Sequence, residues 1–163
     1  MRVYNLLGDM SFDVDRINSV RDGLATRAAK TKDADPLHKQ LLTLSESVDA
    51  MRRKIVATKE GGAITGEERI REKTTGLYGD LTNYEGRPAD YQLARIDSLK
   101  KELGDVETEF ETFVAKDLDA LNKSLAKKKI ETVEPLTRKQ WEAAGGSGQS
   151  GSSSSASSFK MHH

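Results

Sequence analysis

Six apolar residues at spacings of 4, 3, 4, 3 and 4 fix one element of this chain as a helix: Leu37, Leu41, Leu44, Val48, Met51 and Ile55. Alternating 3 and 4 is the a/d pattern of a helix that buries one narrow stripe. A strand would need a period of 2. Asp35 precedes the run as an N-cap, and Pro36 occupies the first helical position, where its missing amide costs nothing. "KEGGAITG" ends the element, with Gly61 available as a left-handed cap.

Three further stretches carry the same period. Ile17, Val20, Leu24 and Ala28 give a first helix from about Ser11 to Lys30, capped by Asp9 or Ser11, with Gly23 a weak point. Thr65 and Glu68 form a capping box ahead of a third helix, striped by Ile70, Leu77, Leu81 and Tyr84 with Thr74 in the gap. Gly76 and Gly79 lower its propensity or admit a close neighbour. At "YEGRPAD", Gly86 is expected to terminate that helix in a left-handed conformation, and Pro88 to precede the next. The fourth stripe runs Ile96, Leu99, Leu103, Val106, Phe110, Phe113, Leu121 and Leu125, with Asp117 interrupting it. From Pro88 to Lys127 it would span roughly 60 Å at 1.5 Å per residue, with Gly104 as its weak point.

Short connections favour antiparallel neighbours. The expected fold is therefore an all-α, antiparallel up-down bundle of three to four helices with a long last helix. Residues 1–10 read as an N-terminal linker and 11–144 as the bundle with a C-terminal tail. Two readings of that tail are open: Ile130, Val133, Leu136 and Trp141 pack back as an extended segment with Trp141 sealing a bundle end, or the segment is a partly ordered terminus. Residues 145–163, "GGSGQSGSSSSASSFKMHH", read as a Gly/Ser linker and tag remnant.

Composition narrows the chemistry. Lys+Arg and Asp+Glu are balanced at 26 each, which argues against a nucleic-acid binder. No cysteine is present, so thiolate chemistry is excluded. No apolar run approaches the roughly 18 residues of a membrane span. His38 is the one histidine outside the terminal pair, and it falls beside the seam, so a solvated flank position is expected. "EGGAITGEE" lacks the Gly-Lys-Ser/Thr of a phosphate loop, and "KSLAKKKI" places cations at a helix C-terminus, where they complement the dipole. Asp117 and Asp119 read as a solvated face. No catalytic residue, cofactor site or metal site is expected.

One surface stands out. Phe110, Phe113, Val114, Leu118 and Leu121 spread beyond a single stripe on a helix about twice as long as its neighbours. Adjacent Phe113 and Val114 point about 100° apart. Two outcomes are open: staggered packing of the other helices covers this face, or it docks on a parent protein or a second copy of the chain.

Three stretches carry a resemblance: "DVDRINSVRDGL" with "LLTLSESVDAMRRKI", then "GLYGDLTNYEGRPADYQLARIDSLKKEL", then "DLDALNKSLAKKKIETV". Together they resemble the C-terminal helical tail of bacterial sortilin-like or BNR-repeat glycosyl hydrolase-type proteins, whose main body is a β-propeller. The Arg-Pro turn and the Asp-Leu-x-x-Leu-Asn ending are its most distinctive motifs. The resemblance implies a non-catalytic accessory domain of a larger, exported protein, serving docking, spacing or partner binding. The fragment's own compartment stays open, and any chemistry belongs to the propeller. The rival expectation is an amphipathic bundle that binds lipid surfaces.

Overall fold

The structure is a computed structural model that describes residues 2–57 and 69–146. Among the described residues, six α-helices and one π-helical turn make up an all-α antiparallel bundle: α1 (Arg2–Ala29), α2 (Pro36–Ile55), α3 (Ile70–Thr82), α4 (Asp90–Phe113), the π-turn (Val114–Leu118), α5 (Asp119–Lys127) and α6 (Arg138–Ala143). There is no strand among the described residues. The expected Gly61 cap and Thr65–Glu68 capping box lie outside them.

α1 begins well before Ser11. Val3, Leu6, Met10, Asp13, Ile17, Val20, Leu24 and Ala28 form one buried stripe, so residues 2–10 are bundle and not linker. The Asp13 carboxyl hides the periodicity, because it occupies a seam position between Met10 and Ile17. Neither expected cap acts as one: Ser11 Oγ donates to the Leu7 carbonyl at 3.0 Å, and Asp9 pairs with Arg138 at 2.8 Å.

α2 starts as its sequence dictates. The Asp35 carboxylate accepts from the Leu37 N–H at 2.9 Å with Pro36 in the first turn. It runs antiparallel to α1, joined by Arg21 Nη1 to Asp49 Oδ1 at 2.9 Å. α3 opens where α2 closes: Glu72 accepts from the Ala57 and Arg69 N–H groups at 3.2 and 3.1 Å. Residues of α3 (Arg71, Thr75 and Tyr78) then line a groove with residues 4–15 of α1. α2 and α3 thus tile α1 one after the other.

The α3–α4 reversal differs in detail from expectation. Asn83 caps α3 in the right-handed region, its N–H bonded to the Gly79 carbonyl. Gly86 is not left-handed, since Gly145 is the one described glycine at positive φ. Its missing side chain matters sterically: a Cβ there would lie 2.8 Å from the Tyr84 ring. Tyr84 itself is exposed, not part of the α3 stripe. Gln92 starts α4 by accepting from the Ala89 N–H at 3.0 Å.

From Asp90 to Lys127 the chain forms one joined rod of about 57 Å at 1.5 Å per residue. Its buried apolar residues are Ile96, Leu99, Leu103, Val106, Phe110, Phe113, Leu118, Leu121 and Leu125. Their spacings are 3, 4, 3, 4, 3, 5, 3 and 4. The single 5 falls on the π-turn. One extra residue within a π-turn absorbs the surplus rotation, so Leu118 and not Asp117 enters the seam. The irregularity lies there and not at Gly104, where a Cβ would meet open space.

The rod ends in a Schellman-type cap. Lys129 adopts φ +57, its N–H reaches the Ala126 carbonyl at 3.0 Å, and the Ile130 N–H reaches the Leu125 carbonyl at 2.9 Å. Beyond it the chain doubles back along α1.

Candidate functional site: the long-helix face, the clasp and a buried carboxyl

The expected docking face is internal. Phe110, Phe113, Leu118 and Leu121 are buried, and Val114 is half-buried against the same core. Phe110 and Phe113 stack with centroids 6.4 Å apart, and the Arg16 guanidinium lies 5.2 Å over Phe110. The cover comes from staggered helices. Lys54, at the end of α2, pairs with Glu109, and Asp35, at its start, pairs with Lys128. α2 therefore overlays residues 109–128 of the long rod, while Lys73 of α3 reaches Glu102 further back at 4.0 Å. Two short helices in series match one long one, so none of these five residues offers a free docking surface.

The tail forms a clasp that sequence periodicity could not show. The Asn122 carboxamide accepts from the Val133 N–H and donates to its carbonyl at 2.8 and 2.9 Å. Arg27 donates to the carbonyls of Glu131 and Thr132 at 2.9 and 2.8 Å. Further along, the Leu136 N–H reaches Ser19 Oγ, and Trp141 Nε1 donates to Asp15 at 2.8 Å. The partners on α1 descend from Arg27 through Ser19 to Asp15 and Asp9, so the tail runs antiparallel to that helix. Val133 is buried, and Ile130 packs against the core as expected. Trp141 does not seal an end. It meets Phe12 edge-on at 5.6 Å on the flank of α1, with Arg138 over both rings at 4.9 and 5.4 Å.

The polar candidates have structural partners. His38 Nδ1 lies 2.8 Å from the Ala28 carbonyl and bridges the α1–α2 turn, half-buried and not free in solvent. Asp119 pairs with Lys123 one turn on at 2.7 Å. The basic run contributes Lys128 to Asp35.

Asp13 is the group that periodicity alone passed over. It is a carboxyl on the buried stripe of α1, 8% exposed, and the one ionisable side chain among the described residues that is buried with the core; Thr74 and Gln92 are the neutral polar ones. Burial is the chief reason its pKa rises from 3.8 to about 8, followed by a hydrogen bond and repulsion from Glu107 of α4 and repulsion from Asp9, against the opposing pull of Arg16. Near the same end of α1, an open groove of about 900 Å³ is lined by Tyr4, Asn5, Arg71, Tyr78, Arg138 and Trp141, among others. Among the described residues, no three His, Cys, Asp or Glu side chains gather as metal ligands, and no helix is long and apolar enough to cross a membrane.

Comparison with protein-family models, with curated proteins and with solved structures gives no match to this chain.

Proposed function

We propose that this chain is a non-catalytic helical spacer and docking module of a larger, exported protein with a β-propeller body, of the sortilin-like or BNR-repeat glycosyl hydrolase type. One observation carries the reading: the motifs behind that resemblance build a braced rod. In the Asp-Leu-x-x-Leu-Asn ending, Leu118 and Leu121 are core residues and Asn122 grips the returning tail. The Arg-Pro turn reverses the chain into the long helix.

A rod of about 57 Å, covered by α2 and α3 in series and strapped by its own tail, holds its two ends at a fixed separation. That is what a spacer requires. Its contact with the propeller body falls on the Arg-Pro end, where Tyr84 and Tyr91 flank the turn at 62% and 75% exposure. Large exposed rings beside an arginine suit a protein interface. A lipid-surface role is less favoured, because it would need the apolar faces of α1, α2 and α4 to open.

Co-expression of this chain with the propeller body encoded in the same gene tests the proposal. Co-purification that is lost in Tyr84→Ser/Tyr91→Ser, with helicity retained, supports it. Glycoside hydrolysis by this chain alone would overturn it, as would a gene without propeller repeats. Helix gain on anionic vesicles would move the reading to the lipid surface.

A further inference from the structure

We propose that Asp13 and Glu107 share a proton that ties α1 to α4, and that losing this proton at alkaline pH releases the tie. Asp13 occupies a seam position, is buried, and its Oδ2 has no hydrogen-bond donor. Glu107 faces it from α4: the Arg16–Glu111 pair, one turn further along both helices, sets these two positions side by side, and Glu107 acts on Asp13 as a hydrogen-bond partner. Two ionised carboxylates can only accept, so they cannot bond to each other. One proton between them satisfies the buried oxygen and removes the repulsion.

The surrounding charges do not replace that proton. On α1, Asp9 adds repulsion and is itself engaged by Arg138 of α6. Lys54 of α2 is paired with Glu109, and Lys73 of α3 with Glu102. Arg16 is the cation that acts on Asp13, but its Nη1 is bonded to Glu111 and its plane lies over Phe110. Its Nε is buried without an acceptor. Arg16 therefore offers ionised Asp13 one alternative partner, three residues along the same helix. Deprotonation exchanges a bond between helices for a bond within α1, and the proton goes to solvent.

The direction follows from linkage. The folded chain holds a proton that the unfolded chain has lost above its ordinary value of 3.8. This contribution to stability is complete below that value. It declines as pH rises and is gone above about 8. The loosening is local to the first half of α1, where Leu6, Met10 and Ile17 pack.

The experiment follows the full 163-residue chain from about pH 5 to about pH 9, by thermal melting and by ¹³C NMR of the Asp13 carboxyl. The melting temperature should fall across that range. Asp13→Asn should remove most of the fall and melt above the parent at the alkaline end. Glu107→Gln, at an exposed position, should lower the pH of half-loss by about one unit or more. Amide exchange over residues 6–17, corrected for intrinsic rates, should rise by about tenfold or more across the range. An Asp13 carboxyl titrating below about pH 5 would overturn the proposal. So would parallel pH profiles for the parent and Glu107→Gln, a comparison that remains usable if Asp13→Asn fails to fold.

Discussion

The Asn122 side chain holds both backbone polar groups of Val133, accepting at 2.8 Å and donating at 2.9 Å, as a neighbouring strand would. An extended tail has no internal hydrogen bonds, so each part-buried N–H and C=O must find a partner outside it. Asn122 supplies two at once from the middle of α5. Asn122→Ala leaves both groups of Val133 without that partner and should cost about 1–3 kcal/mol. The loss should be local first. Trp141 fluorescence should shift to the red at lower denaturant than the helical signal changes, whereas the two transitions should coincide in the parent chain.

Glycines in this chain should respond to alanine with opposite signs. At Gly23 a Cβ would approach Val133 Cγ1 to 3.1 Å, because the clasp passes directly over that helix surface. At Gly76, Gly79 and Gly104 a Cβ would meet nothing within 4 Å. All four are helical, so alanine gains roughly 0.5–1 kcal/mol of backbone propensity at each open site. Gly104→Ala and Gly76→Ala should raise the melting temperature. Gly23→Ala should gain nothing or lose stability, with increased exposure of the tail read by amide exchange at Ile130 and Val133.

Much of this fold is legible in the sequence, and the exceptions have physical causes. Periodicity finds the start of α2 to the residue, because its stripe is apolar throughout and its Asp35-Pro36 start is strong; the helix ends at Ile55, with Val56 extended, ahead of the expected stop at "KEGGAITG". It loses the first three turns of α1, because a carboxyl stands at Asp13 where the stripe calls for an apolar side chain. It identifies Asp117 as an interruption without identifying the π-turn, since a gap of 5 between Phe113 and Leu118 is informative only when the register after it is known. The surface at Phe110 and Phe113 looks unpartnered when helices are compared one by one. It is covered because α2 and α3 lie in series, which no single-helix pattern encodes. The apolar residues of the tail mark it as able to pack back, but the polar contacts of the clasp are invisible beforehand, being built from backbone groups of the tail and scattered side chains of α1 and α5.

Acid should weaken the α1–α2 junction. Burial disfavours the charged form of Asp49, but hydrogen bonds from Arg52 and Arg21 outweigh it and hold the carboxyl below its ordinary value of 3.8. A lowered folded pKa means the contribution is present above 3.8 and is lost as pH falls through the folded value. Asp49→Asn should therefore melt at a lower temperature than the parent near neutral pH. The difference should shrink as the pH falls below 3.8 and through the folded value. A gap of constant size at every pH would mean that Asp49 acts through packing and not through its charge.

The π-turn allows a sharper test, by deletion. Removing one residue anywhere in a regular α-helix rotates everything beyond it by about 100°. Within Val114–Leu118 the same deletion should instead convert a spacing of 5 into the ordinary 4 and let an α-helix bring Leu118 to the seam. Deleting Lys116, whose side chain is exposed, should leave a folded bundle of near-parental helicity. Its cost is a shift of about 1.5 Å in α5 against α1 and α2, which the Lys128–Asp35 pair must absorb. Deleting exposed Thr108 should turn Phe110 and Phe113 out of the core and place charged neighbours in it, which costs several kcal/mol. That variant should show broad, non-cooperative melting by circular dichroism. Phe113→Glu should unfold the chain for the same reason, without passing through a folded dimer. Equal damage from the two deletions would show that the π-turn is required in its own right, as more than a correction of register.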